Sequence, residues 1–123
     1  KKFIKAIAGR GSNNYSEQST DMDIKSPYKS RENRGYIPRY NFVNLNNAKT
    51  IELRIFATPS NRQEFEIRMQ FVKAMVEYCK PAQHTVSLKE QTHYESFCNW
   101  LNNTRNNSYD ILNNFIKEST ICA

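Results

Sequence analysis

On the segment Thr50-Ile51-Glu52-Leu53-Arg54-Ile55-Phe56, a carboxylate and a guanidinium stand two residues apart. Glu52 offers hard oxygens suited to Mg²⁺. Arg54 offers a planar fork that grips a phosphate or carboxylate through paired hydrogen bonds. Side by side on a rigid element, the two could hold a cation and an anion. The plainer alternative is a salt bridge on a solvated strand face, worth at most about 1 kcal/mol. Upstream lie three further polar candidates, Arg10, Arg39 and Asn44. Arg10 precedes a Gly-Ser-Asn-Asn turn whose backbone amides could hold an anion. This is not a P-loop, because no Gly-Lys-Ser/Thr follows. The plainer reading of that stretch is a turn ending a strand.

The elements that must position these residues follow from periodicity. Ile51, Leu53 and Ile55 alternate with Glu52, Arg54 and Phe56, which predicts a strand with one face toward a core. Tyr40 to Leu45 alternates in the same way, and Asn46-Asn47-Ala48-Lys49 separates the two runs. An antiparallel hairpin over about 40–56 is therefore expected, entered after Pro38. The short apolar run Lys2 to Ala8, ended by Gly9, reads as a third strand. Ser16 to Arg34 shows little periodicity and turns basic in its second half. It reads as a solvated loop, or as a lid over phosphate.

Helices are expected beyond Pro59. Ser60 with Gln63, or Asn61 with Glu64, forms a capping box. Phe65, Met69, Val72, Val76 and Cys79 then recur at spacings of three and four, which predicts that this face meets the core, with Pro81 as the stop. A second helix carries Leu88, Tyr94, Phe97, Cys98 and Leu101. A third, opened by Asn107 or Ser108, turns Leu112, Phe115 and Ile116 inward, the two forming an αα-hairpin beside the longer helix. The expected fold class is α+β: a small antiparallel sheet, the hairpin plus the N-terminal strand, packed against three helices. The 123 residues suit a single domain. The chain begins Lys1-Lys2 without Met, so a fragment or processed product is equally expected.

A net charge of +6 favours anionic partners, although many small domains carry such a charge without one. Tyr28, Arg31, Arg34, Tyr36, Arg39 and Tyr40 interleave aromatic and basic residues as a nucleic-acid surface would, but no nucleic-acid-binding motif accompanies them. Asparagine enrichment from Asn99 to Asn114 fits an AT-rich genome, such as that of a phage or a low-GC bacterium. No apolar run approaches the roughly 18 residues of a membrane span, so no membrane contact is expected. Cys79, Cys98 and Cys122 are odd in number and lack Cys-x-x-Cys spacing. Reduced, buried thiols and a cytoplasmic location are therefore expected. His84 and His93 have no partner at metal-binding spacing. No Ser/His/Asp or Cys/His arrangement is legible.

Arg39-Tyr40, then Val43-Asn44-Leu45, then Thr50 through Phe56 followed by a turn and a helix, resembles the amidoligase family, a branch of the glutamine-synthetase-like carboxylate–amine ligases. Ala8-Gly9-Arg10 with Tyr15 looks like an upstream family segment, and Phe97 to Leu101 and Tyr109 to Ile116 look like its closing helices. The resemblance implies a reaction in which ATP phosphorylates a carboxylate and an amine displaces the phosphate, giving an amide or isopeptide bond. It implies Glu52 as a metal ligand for Mg²⁺, Arg54 as the residue binding phosphate or substrate, and Arg10, Arg39 and Asn44 as supporting nucleotide-site residues. The family's other metal carboxylates lie upstream of such a segment. The chain would then be the C-terminal portion of a larger ligase, inactive alone and partnered by the missing N-terminal portion. The reading without catalysis is a basic binding or structural protein that contacts nucleic acid or a partner protein.

Overall fold

The computed structural model describes residues 2–11, 43–44, 49–80, 94–104 and 107–119. Over these residues the chain is mainly helical, and the α+β expectation is overturned. Helix α1 is Lys2–Ala8, where a strand is expected from the sequence. Phe3 and Ile7 lie one turn apart and are both buried, with Ala8 beside them. Seven residues are too few for periodicity to separate helix from strand; burial one turn apart decides for helix. Gly9 ends it with φ of 73°, a left-handed conformation that a side chain rarely tolerates, and its amide donates to the Lys5 carbonyl at 3.0 Å.

Strands are minimal. Strand β1 (Val43–Asn44) pairs antiparallel with β2 (Glu52–Leu53), with Val43 opposite Leu53 and Asn44 opposite Glu52. Two residue pairs do not make a sheet layer on which helices can pack. The inward face expected for the second run fails at Ile51, which is 67% exposed, although Ile55 is buried. Ile51 precedes the paired residues. Alternation assigns a face only where a strand is held in register.

The contacts divide the chain into two units: Lys1–Gly9 with Thr58–Ala123, and Arg10–Ala57. The first is organised by α2 (Arg62–Tyr78). At its start Asn61 Oδ1 accepts from the Glu64 amide at 2.9 Å, and the Glu64 carboxylate accepts from the Ser60 amide at 2.8 Å. This is a capping box reaching one residue further upstream than usual, and it satisfies amides that the first turn leaves open. Helices α3 (Tyr94–Asn103) and α4 (Asp110–Glu118) follow, the latter entered through a 3₁₀ turn at Asn107–Tyr109. Helices α1, α3 and α4 all pack on α2.

The face that α2 buries is not the one expected from the sequence. Ile67, Phe71, Ala74 and Tyr78 point inward, at spacings of four, three and four. Phe65, Met69 and Val76, expected in the core, are 52%, 53% and 55% exposed, and Cys79 is exposed as well. The helix carries two apolar stripes on opposite sides, and periodicity cannot choose between them. Aromatic packing favours the inner one. Phe71 meets Phe3 and Phe97 at centroid separations of 6.2 and 5.8 Å, and Tyr78 meets Phe97 and Trp100 at 5.4 Å each, all edge-on.

Polar anchors then fix the rotation of α2. The buried Arg68 donates through Nε to the Ile7 carbonyl at 3.4 Å and through Nη2 to Glu64 at 3.3 Å. Gln70 Oε1 accepts from the Leu112 amide at 2.9 Å, capping α4 from the neighbouring helix where Tyr109 makes no side-chain cap. The buried Tyr109 hydroxyl donates to the Glu77 carboxylate, and the Lys73 ammonium lies 5.6 Å from the Tyr109 ring centre.

The thiol expectation also needs correction. Cys79 is free but exposed, and Cys98 is buried and disulfide-bonded, so the inference from reduced cysteines to a cytoplasmic location loses its basis. Among the described residues no helix is long and apolar enough to cross a membrane.

Burial, reinforced by the hydrogen bond to Glu77 and its charge, raises the Tyr109 phenol pKa above its ordinary value. A raised folded-state pKa gives stability that is complete below the unfolded value of about 10 and lost as pH climbs through the folded one. Tyr109→Phe keeps the ring and removes the charge-assisted bond, so urea unfolding at pH 7 should lose about 1.5 kcal/mol. The stability of the unmodified protein should fall more steeply above pH 10 than that of the variant. Parallel pH curves for the two would refute this account.

Candidate functional site

Arg10 and Arg54 are 44 residues apart in sequence and meet within the second unit. Arg10 Nε donates to the Ile55 carbonyl at 3.2 Å, and its Nη2 donates to the Arg54 carbonyl. The guanidinium thus clasps the main chain just past β2. No local pattern signals this contact. Arg10 stands out in the sequence only because it precedes a turn, and its partners are backbone groups that any residue type supplies.

Glu52 and Arg54 lie on one side of the extended segment, as residues at i and i+2 must. Arg54 Nε donates to Glu52 Oε1 at 2.9 Å. Their side chains are 24% (Arg54) and 42% (Glu52) exposed, so water still reaches the pair. The Coulomb term is screened there, and the contact contributes at most about 1 kcal/mol to folding. Its larger effect is geometric: the carboxylate holds one edge of the guanidinium and sets the plane of the fork.

Of the five residues singled out from sequence, three come together: Arg10, Glu52 and Arg54. Asn44 stands opposite Glu52 in the antiparallel register, which brings its backbone beside the pair. Arg39 lies outside the described residues, as do the basic loop, the interleaved segment from Tyr28 to Tyr40, and both histidines. Counted over the described residues alone, two guanidinium groups and one carboxylate stand along this segment. That balance suits an anion such as a phosphate or a substrate carboxylate.

The same cluster does not by itself suit Mg²⁺. Among the described residues Glu52 is the carboxylate placed here, and it accepts from Arg54. Among the described residues no three His, Cys, Asp or Glu side chains gather as a metal site would require. The described residues thus provide anion-binding character without a metal cage.

The clasp has a measurable consequence. Arg10→Ala removes both bonds to the main chain, and amide hydrogen exchange across residues 52–57 should accelerate by roughly tenfold, as loss of about 1.4 kcal/mol of local protection would give. Arg10→Lys, with a point charge in place of a fork, should fall between the two. Unchanged exchange in Arg10→Ala would show that the clasp does not hold this segment.

The chain matches no protein-family model, no curated protein and no solved structure.

Proposed function

We propose that the chain is the C-terminal part of an ATP-dependent carboxylate–amine ligase of the amidoligase type, and that Arg10, Glu52 and Arg54 form part of its substrate site. One observation carries this reading: Arg10, Glu52 and Arg54, selected from distant places in the sequence, converge in one unit. In the proposed reaction a substrate carboxylate oxygen attacks the γ-phosphorus of ATP and ADP leaves. The amine then attacks the acyl carbon, loses a proton and expels phosphate, leaving an amide.

Both steps concentrate negative charge on phosphoryl and acyl oxygens, and a preset cation stabilises that charge without reorganising. Arg54 supplies it. Glu52 orients the Arg54 fork and is a positioning residue in this arrangement. Arg10 holds the main chain beneath them and adds a second positive charge. Arg39 and Asn44 would support the nucleotide. The carboxylates needed to hold Mg²⁺ would come from chain upstream, as the resemblance implies.

A second reading has an observation of its own. Arg10 donates to main-chain carbonyls and Arg54 to Glu52, as in a structural motif. A basic, non-catalytic binder of nucleic acid or of an acidic protein would need no more of this cluster than that, together with the net charge of +6.

Nucleotide binding separates the two. In the full-length protein, Arg54→Ala should weaken Mg-ATP binding by roughly tenfold or more, the loss of one charge-assisted contact. Glu52→Gln should weaken it less and chiefly alter orientation. Calorimetric titration reads both. Equal affinity in Arg54→Ala would sink the ligase reading. Binding of a DNA or RNA oligonucleotide that weakens steeply with added salt would support the second reading instead.

A further inference from the structure

The asparagine-rich end of α3 holds a pattern that the candidate site does not use. Asn102-Asn103-Thr104 reads Asn-x-Thr without proline in the middle, the sequence at which a glycan is transferred to an asparagine amide. The pattern recurs at Asn14-Tyr15-Ser16 and Asn106-Asn107-Ser108, whose asparagines lie outside the described residues. A chain rich in asparagine meets so short a pattern by chance, so the motif alone selects nothing. Place in the fold and redox state do.

Asn102 and Asn103 are exposed in the last turn of α3, directly after the buried Leu101. A glycan is bulky and must stay in water, so an acceptor turned into the core would conflict with the fold. Here α3 commits Phe97, Cys98 and Leu101 to the core and leaves Asn102 to solvent. Thr104 closes the helix: its amide donates to the Trp100 and Leu101 carbonyls at 3.0 and 3.3 Å, and its hydroxyl donates to the Trp100 carbonyl at 2.9 Å. Once the chain is folded, the hydroxyl is held by that helix end. It can serve the Asn102 amide only while the segment is extended, so transfer precedes formation of this turn.

The second observation is covalent. Cys98, one turn before Asn102, is buried and disulfide-bonded. Disulfides persist in oxidising surroundings, such as a secretory lumen or the cell exterior, and asparagine glycans are attached on that same route. The bond and the motif are separate features that point to one compartment.

We propose that Asn102 is an N-glycosylation site and that the chain passes through an oxidising secretory lumen. The donor class is an oligosaccharide joined to a polyprenyl lipid through pyrophosphate. Asn102 Nδ2 forms a bond to the anomeric carbon, and the bond from that carbon to the pyrophosphate oxygen breaks. The lipid pyrophosphate leaves, and the amide nitrogen releases one proton to solvent. Asn102 belongs to the first unit and Arg10, Glu52 and Arg54 to the second, so the modification and the ligase reading stand apart.

Peptide mapping of the protein isolated from its own cells tests this. A peptide N-glycosidase acting in water labelled with heavy oxygen converts a glycosylated asparagine to labelled aspartate, and the expected result is that label at residue 102. Asn102 found unmodified in every copy would overturn the proposal. Alkylation in denaturant before reduction should leave the Cys98 thiol unlabelled; a Cys98 that alkylates fully would overturn the compartment and the proposal with it. Expressed in the same cells, Thr104→Ala should lose the label at residue 102 and Thr104→Ser should keep it, and label that survives Thr104→Ala would also count against the assignment. Asn102 is exposed, so Asn102→Gln should keep the circular dichroism spectrum, which separates a lost glycan from a lost fold.

Discussion

Three polar side chains on α2 set the rotation of that helix, and the remainder of the first unit is arranged around the choice. Arg68 reaches the last turn of α1, Gln70 caps the first turn of α4, and Glu77 receives the Tyr109 hydroxyl. Each contact satisfies a group that would otherwise be buried unpaired or left open at a helix end, and leaving such a group bare costs about 1–3 kcal/mol. Among the described residues no buried side-chain polar atom lacks a partner. Turning α2 to bury its other apolar stripe would break all three contacts at once. Aromatic packing favours the inner stripe, and the polar anchors act in the same direction.

That combination explains what could and could not be read from the sequence. The existence of α2 and its start at Asn61 are written locally, in a capping box and a helical repeat. Its buried face is not local, because Phe65, Met69, Val72, Val76 and Cys79 form as regular a stripe as Ile67, Phe71, Ala74 and Tyr78. Arg68 has a charged side chain and would be placed at the surface by any hydropathy argument, yet it is buried because the Ile7 carbonyl and Glu64 are waiting for it. The N-terminal run failed for a different reason: at seven residues, a strand and a helix have nearly the same sequence signature, and Phe3 and Ile7 declare themselves only when Phe71 and Phe97 are present to meet them. Cysteine arithmetic misled at Cys98 because an odd count without clustered spacing does not show which thiols the fold brings together.

The candidate site divides along the same line. That Glu52 and Arg54 share a side of the chain follows from the two-residue period of an extended segment, and it holds although the expected sheet does not form. Their ion pair is too exposed to matter much for folding, and its value lies in orienting the guanidinium. The Arg10 clasp depends on tertiary structure alone. It joins residues 44 apart through backbone oxygens, and such partners leave no trace in residue type. A pattern of side chains can nominate the charged members of a site, but the frame that positions them is built from groups common to every residue.

The outward stripe of α2 is then a consequence of the core and not an accident beside it. A helix with apolar residues on both faces must either be buried all round or leave one face to be covered by something else. Here Arg68, Gln70 and Glu77 commit one face to α1, α3 and α4, which leaves Phe65, Met69 and Val76 in water.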